Sequence, residues 1–213
     1  MIKMSKWLKI YKKQMNQFSD IDTFIKKRIL YKKKLIAKIR EYTNNNGMIL
    51  ETGCGSGITS IYLSKFRYDV TGIDNDKEML SLAQEISDIS NSKAKFKEMD
   101  LKKLKFEDKK FDVIFSNGVL EHFSDQEIIK IINHHLKFTK YIIFSIPSSQ
   151  FTEDQKIFGD ERFMTYQQWE SILRKTKGEI IENFGFVYEK RNKNNLNNAK
   201  FMGFVVKCKT NMY

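Results

Sequence analysis

The chain has 213 residues, 41% of them hydrophobic and 13% aromatic, enough for one α/β domain with a sizeable core and too few to demand two. Its net charge of +12 comes largely from lysine, 32 of the 38 basic residues, scattered along the whole chain with no RNA-binding motif beside them. Cys54 and Cys208 show neither a disulfide framework nor metal-ligand spacing, no apolar run reaches membrane-spanning length, and the lysine-dotted start has no apolar signal core, so no metal is expected and a cytoplasmic, reduced protein is.

Apolar residues recurring near helical spacing predict helices over 7–18 and 22–42, with Ser19 and Asp20 as caps between them. The Asn44-Asn45-Asn46-Gly47 stretch stops the second before a first strand, Met48-Ile49-Leu50-Glu51-Thr52. That strand runs into Gly53-Cys54-Gly55-Ser56-Gly57, and a helix over 57–66 opens behind it. Strands over 68–74, 94–99 and 111–117 alternate with helices over 76–90 and 124–136, the last with Ile128, Ile129, Ile131 and Ile132 toward the sheet. A fifth strand over 141–146 is stopped by Pro147, the only proline. A polar stretch, a helix over 166–175 and two late strands over 180–189 and 201–207 around an Asn-rich turn at 192–198 complete the chain.

The glycine loop is the strongest single signal. Glycines at 53, 55 and 57 allow a tight turn and a close ligand approach where an apolar strand meets a helix start. Dinucleotide enzymes use a similar loop, but their third glycine comes one residue later, and position 58 here is Ile. Asp74 ends the second strand, where a carboxylate can accept both hydroxyls of a ribose. The fourth strand ends in Ser116-Asn117, followed by Gly118-Val119-Leu120-Glu121-His122.

With these strand ends in place the chain resembles the class I S-adenosylmethionine-dependent methyltransferases, and its Leu-Glu-His run resembles the small-molecule branch that includes quinone-biosynthesis enzymes. The resemblance covers residues 40–150 well and the flanks loosely. It implies a Rossmann-like three-layer sandwich: a mostly parallel seven-stranded sheet with an antiparallel C-terminal hairpin and N-terminal lid helices. One domain over 1–213 is expected, with a helical lid at 1–46 and a substrate-recognition insertion at 148–176. The implied cofactor is S-adenosylmethionine. Gly53, Gly55 and Gly57 pass under its methionine portion, with Glu51 nearby to orient the amino group. Asp74 takes the ribose hydroxyls, Asn75 lies against the adenine edge, Asp100 and Leu101 hold the adenine, and Asn117 lies beside the methionine end.

The cofactor carries its own electrophile, so the protein mainly has to hold the methyl group in line with a nucleophile. His122 is the candidate base, with Glu121 to orient it or balance its charge; a packing or capping role is the alternative. His134 and His135 are expected at the surface or behind the site. Trp7 and Tyr11 can present aromatic faces to a substrate. Arg162 can recognise one, or else pair with Asp160 or Glu161 at the surface.

Absent features narrow the acceptor. Neither cysteine follows the fourth strand, as a cytosine-C5 methyltransferase requires, and Ser116-Asn117-Gly118-Val119 stands where an amino-group DNA methyltransferase has a proline-aromatic turn. O- or N-methylation of a small molecule is the expectation. RNA or protein methylation is the runner-up, its best support the basic segment Lys26-Lys27-Arg28 and Lys32-Lys33-Lys34. A noncatalytic adenosylmethionine-binding partner and a dinucleotide-dependent oxidoreductase complete the alternatives.

Overall fold

The computed structural model describes residues 6–107, 110–188 and 198–209. Three helices, α1 (Lys6–Met15), α2 (Ile21–Leu30) and α3 (Lys33–Tyr42), precede the alternating part: β1 (Met48–Thr52), α4 (Ile58–Ser64), β2 (Asp69–Asp74), α5 (Lys77–Ile89), β3 (Lys95–Glu98) and β4 (Phe111–Asn117). Then come α6 (Asp125–His135), β5 (Thr139–Pro147), α7 (Tyr166–Leu173), β6 (Gly178–Tyr188) and β7 (Ala199–Cys208). The seven strands form one sheet in the order β3-β2-β1-β4-β5-β7-β6. The first five pair in parallel, and β7 is antiparallel to both β5 and β6.

Strand alternation produces the three layers. Neighbouring side chains on a strand point to opposite faces, and the buried residues divide accordingly. Ile49, Val113, Phe115, Ile143 and Val205 pack with residues of α1 through α5. Ile142, Phe144, Ile146, Phe204 and Val206 pack with α6 and α7, while Leu50 and Ile114 join Phe111 and Phe138. Near-continuous apolar strands of this kind are what a sheet covered on both faces demands.

Capping explains several boundaries. Asp20 accepts from the Thr23 amide at 2.7 Å at the start of α2, as expected, and Asp76 accepts from Glu78 and Met79 at the start of α5. Ser124 and Glu127 form a reciprocal capping box on α6.

One helix expected over 22–42 is two. The chain turns at Tyr31 and Lys32, with Leu30 and Tyr31 more than half exposed at the corner. Beyond the corner α3 is tied to the far edge strand, where Lys38 and Tyr42 both reach Glu182. The corner turns Lys32 toward α4, where its Nζ donates to Thr59 Oγ1 at 2.9 Å. Of the four isoleucines expected toward the sheet, Ile128, Ile131 and Ile132 are fully buried and Ile129 is only partly so. Positions 192–197 of the expected Asn-rich turn lie outside the described residues. Among those described, no helix is long and apolar enough to cross a membrane.

Candidate active site

Strand order reverses at β1, which sits between β2 and β4, and ligands of such sheets bind in the crevice beyond the carboxyl ends of the strands at that point. A cavity of about 390 Å³ lies there. Glu51, Gly53, Gly55, Asp74, Asn75, Asp100, Leu101 and Asn117 line it, together with His122, Trp7 and Tyr11. Three sequence-predicted residues do not: Gly57, Glu121 and Arg162 lie behind the wall.

The loop glycines have different tasks. Gly55 has φ +52, and a Cβ there would meet nothing nearer than Met79 Cε at 3.8 Å and Tyr11 Oη at 3.9 Å, two side chains of the cavity wall. At Gly57, φ +68, a Cβ would come within 2.5 Å of the Phe96 ring. The first glycine leaves open space in the cavity wall, and the second lets the loop settle onto β3 and α5. Gly55→Ala should therefore weaken cofactor binding about tenfold or more, with a stability cost of about 1 kcal/mol that comes from its positive φ alone and not from packing. Gly57→Ala should mainly lower stability, by about 1–3 kcal/mol of overpacking and positive-φ strain. Calorimetry and thermal unfolding of both variants check the contrast, and a Gly55→Ala protein that binds normally would remove this loop from the site.

Asp74 ties the loop to its strand. Its Oδ2 accepts from the Gly55 amide at 2.8 Å and its Oδ1 from the Asp76 amide at 3.0 Å, which fixes the carboxylate at the cavity edge. Asn75 follows it, exposed. Asp100 caps a short 3-10 turn by accepting from the Lys102 amide at 2.8 Å and so presents Leu101 to the cavity. Behind Leu101, its carbonyl lies 2.8 Å from His135 Nε2. His135 is thus a core residue, not a surface one; burial lowers its pKa to about 4, so the neutral ring donates to that carbonyl. Asn117 is held from the next strand, its Oδ1 accepting from Ser145 Oγ at 2.8 Å.

An acidic and a basic side chain act on each other in the cavity wall. Glu51 is buried, and its Oε2 accepts from both the amide and the hydroxyl of Ser60, at 3.0 and 2.6 Å. Burial pushes its carboxyl up, while Lys32 and the Ser60 hydrogen bonds pull it back. Burial likewise lowers the Lys32 ammonium, to about 8, with Glu51 acting in the opposite sense. The sequence points to Lys32 only as one of a basic run, which reads as a solvated face or a nucleic-acid contact and not as part of this cavity. Cys54 also lines the cavity; burial pushes its thiol well up, so it is no thiolate nucleophile.

A further part of the wall comes from α1 and the segment after β5. Trp7 packs on Phe158 with ring centroids 4.3 Å apart, and Lys6 lies over the Phe158 ring at 4.3 Å. His122 stands edge-on to Phe158, and its Nδ1 lies 2.9 Å from Asp160 Oδ1. This corrects the expected partner of His122. Glu121 points inward instead, 3% exposed, with one carboxylate oxygen unbonded. Arg162 is also reassigned: it donates to the Phe123 carbonyl at 2.7 Å and pairs with Asp125, so it clamps the start of α6 to the post-β5 segment rather than facing a substrate. From the expected insertion at 148–176 only Phe158 and Asp160 reach the cavity, while α7 carries the buried Trp169.

Burial raises the Glu121 carboxyl to about 8, and the nearby Glu161 and Asp160 charges push the same way. The side chain is then protonated at neutral pH. Between its unfolded value near 4.5 and about 8 the native state binds more protons than the unfolded one, so this residue's contribution to stability falls as pH rises through that window. Glu121→Gln should abolish that part of the pH dependence, and urea midpoints of both proteins across it provide the measurement. Parallel curves would mean that Glu121 is ionised.

His122, Asp160 and Glu161 offer ligand atoms within 4.8 Å of one another. Glu161 is already used: its Oε1 accepts from the Ile157 and Phe158 amides and its Oε2 from Gly159, all at 2.9 Å. Those bonds shape the turn that carries Asp160 and leave the cluster poorly suited to an ion.

The family profile described as a methyltransferase domain matches residues 49–140. A malonyl-[acyl-carrier protein] O-methyltransferase of Bacillus cereus is 26% identical over 158 residues, 73% of this chain and 52% of that protein. The chain thus spans about half the length of that curated relative. The fold is similar to that of the PH0226 protein from Pyrococcus horikoshii OT3, with a TM-score of 0.74 at 16% identity over 97% of this chain and 100% of the other. It is also similar to magnesium protoporphyrin IX methyltransferase (ChlM) from Synechocystis PCC 6803, solved with bound SAH, with a TM-score of 0.65 at 17% identity over 83% of this chain and 81% of that one.

Proposed function

We propose that the chain is a class I S-adenosylmethionine-dependent methyltransferase, a reading supported by the methyltransferase-domain match over residues 49–140, and that it transfers a methyl group to an oxygen or nitrogen nucleophile of a small molecule. The observation that carries this reading is the cavity at the β1 switch point, whose lining combines a half rich in polar residues with a second half rich in aromatic ones.

The residues of the first half fit the cofactor. Asp74 offers a fixed carboxylate to ribose hydroxyls, and Met79, Met99 and Leu101 offer apolar sides to a planar base. Gly55 leaves room for close approach of the chain. Glu51 and Lys32 supply a negative and a positive charge in the cavity wall, the complement of an amino-acid group carrying ammonium and carboxylate. The bound cofactor supplies an electrophilic methyl on a sulfonium.

The second half holds the acceptor. Trp7, Phe158 and Phe123 exclude water and offer apolar contact, while His122 lies on the same wall and can accept a proton. A cavity lined by Trp7, Phe123 and Phe158 suits a metabolite better than a duplex or a folded RNA surface, which leaves RNA or protein methylation as the less supported reading.

Calorimetry with S-adenosylhomocysteine and with NADH tests the cofactor. Micromolar binding of the first and none of the second is expected, and the reverse would return the site to the dinucleotide reading. Mass spectrometry of a metabolite extract incubated with methyl-labelled S-adenosylmethionine then identifies the acceptor.

A further inference from the structure

We propose that Asp160 positions His122 as the base for a neutral hydroxyl acceptor. The inference rests on the cofactor reading above and adds a residue and a substrate class to it.

The geometry starts from the 2.9 Å contact between His122 Nδ1 and Asp160 Oδ1. A carboxylate only accepts hydrogen bonds, so Nδ1 carries a proton, and in the neutral ring Nε2 then keeps its lone pair. Among the described residues Nε2 has no hydrogen-bond partner, and the ring lines the cavity. Free neutral imidazole favours the opposite tautomer, which makes Asp160 the group that selects a basic Nε2.

The surroundings show how Asp160 is held. The three amides bound by Glu161 fix the turn from Ile157 to Gly159, and the Arg162 amide donates to the Glu121 carbonyl at 3.0 Å. The turn is thereby anchored to the 3-10 turn that carries His122 itself. With its side chain 63% exposed, Asp160 adds little to stability through this pair, so orientation is what the contact supplies.

An oriented base has a use only where the nucleophile must lose a proton. A neutral amine already offers its lone pair, an ammonium would bring a second positive charge up to the sulfonium, and a carboxylate acceptor carries no proton and would meet Asp160 as a like charge. A phenol or alcohol fits: its oxygen pair forms the O–CH3 bond, the S–CH3 pair returns to sulfur, and His122 Nε2 takes the hydroxyl proton. The positive charge lost at sulfur reappears on the imidazolium, next to the Asp160 carboxylate. Trp7 and Phe158 supply the apolar surface that such a hydroxyl-bearing body needs.

Nitrogen-15 spectra of the imidazole, recorded on the ligand-free protein, read the tautomer without turnover. The wild type should show the proton on Nδ1, and Asp160→Ala should show it mostly on Nε2. A wild-type proton on Nε2, or a tautomer unmoved by the substitution, would overturn the positioning role. In the labelled-extract assay Asp160→Ala should slow label transfer about 10- to 100-fold, a fraction of what a base contributes, with S-adenosylhomocysteine affinity unchanged. The labelled product should be an O-methyl ether, and an N-methylated product or a methyl ester would overturn the hydroxyl assignment. Failure to bind S-adenosylhomocysteine would instead sink the cofactor reading, with the tautomer result still deciding the role of Asp160.

Discussion

Asp74→Ala should weaken S-adenosylhomocysteine binding by about 2–4 kcal/mol, roughly 30- to 1000-fold. Two losses act together. Charge-assisted hydrogen bonds to the ribose disappear, and the Gly55 amide loses the acceptor 2.8 Å away that holds the loop under the ligand. Asp74→Asn separates them: the amide oxygen can still take the Gly55 hydrogen bond, while the charge at the ribose is gone. The Asn variant should therefore lie between wild type and Ala. Calorimetry at fixed temperature, with thermal unfolding as the check on folding, gives the three affinities. An Ala variant that is folded and binds within a factor of two of wild type would remove the end of β2 from the site.

The legible part of this protein was its local part. The run from β1 through the glycine loop to Asp74 was readable because apolar runs, glycine spacing and a strand-end acid all act within a few residues of one another. The two closing strands were likewise visible, and their antiparallel pairing came from the family resemblance. What escaped required the chain to meet itself. The bend at Tyr31 and Lys32 leaves the apolar spacing of 22–42 nearly undisturbed, so periodicity reads one helix, and the lysine it turns inward looks like its exposed neighbours. Arg162 and Asp160 were seen as adjacent opposite charges; in the fold one turns to Asp125 and the other to His122. Glu121 beside His122 suggested a pair, but in a 3-10 turn consecutive side chains diverge, and Glu121 faces the core. Gly57 belonged to the motif by spacing and to the packing of Phe96 by position. The acid between Phe158 and Glu161 had a signal in the polar segment after β5, yet nothing local said which of its charges would reach the cavity.

His122→Ala should lower single-turnover methyl transfer by about 100- to 10,000-fold, the range for a lost general base, with cofactor affinity unchanged. The competing expectation is much smaller. If transfer depends only on alignment in a dry pocket, the substitution removes a wall residue and costs about tenfold through looser packing of the acceptor. The two also differ in pH dependence. A base must be unprotonated to work, so the wild-type rate should fall toward low pH, and this limb should vanish in the variant. His122→Gln adds a control, since glutamine restores bulk and a hydrogen bond to Asp160 without basicity; rescue by Gln would assign His122 to packing. Rates are measured at saturating methyl-labelled cofactor with the acceptor recovered from the extract assay. A large loss in both variants, with the acid limb gone, makes the imidazole the proton acceptor. A loss of tenfold or less with the acid limb intact leaves catalysis to positioning alone and places the acceptor's nucleophile among groups that need no base.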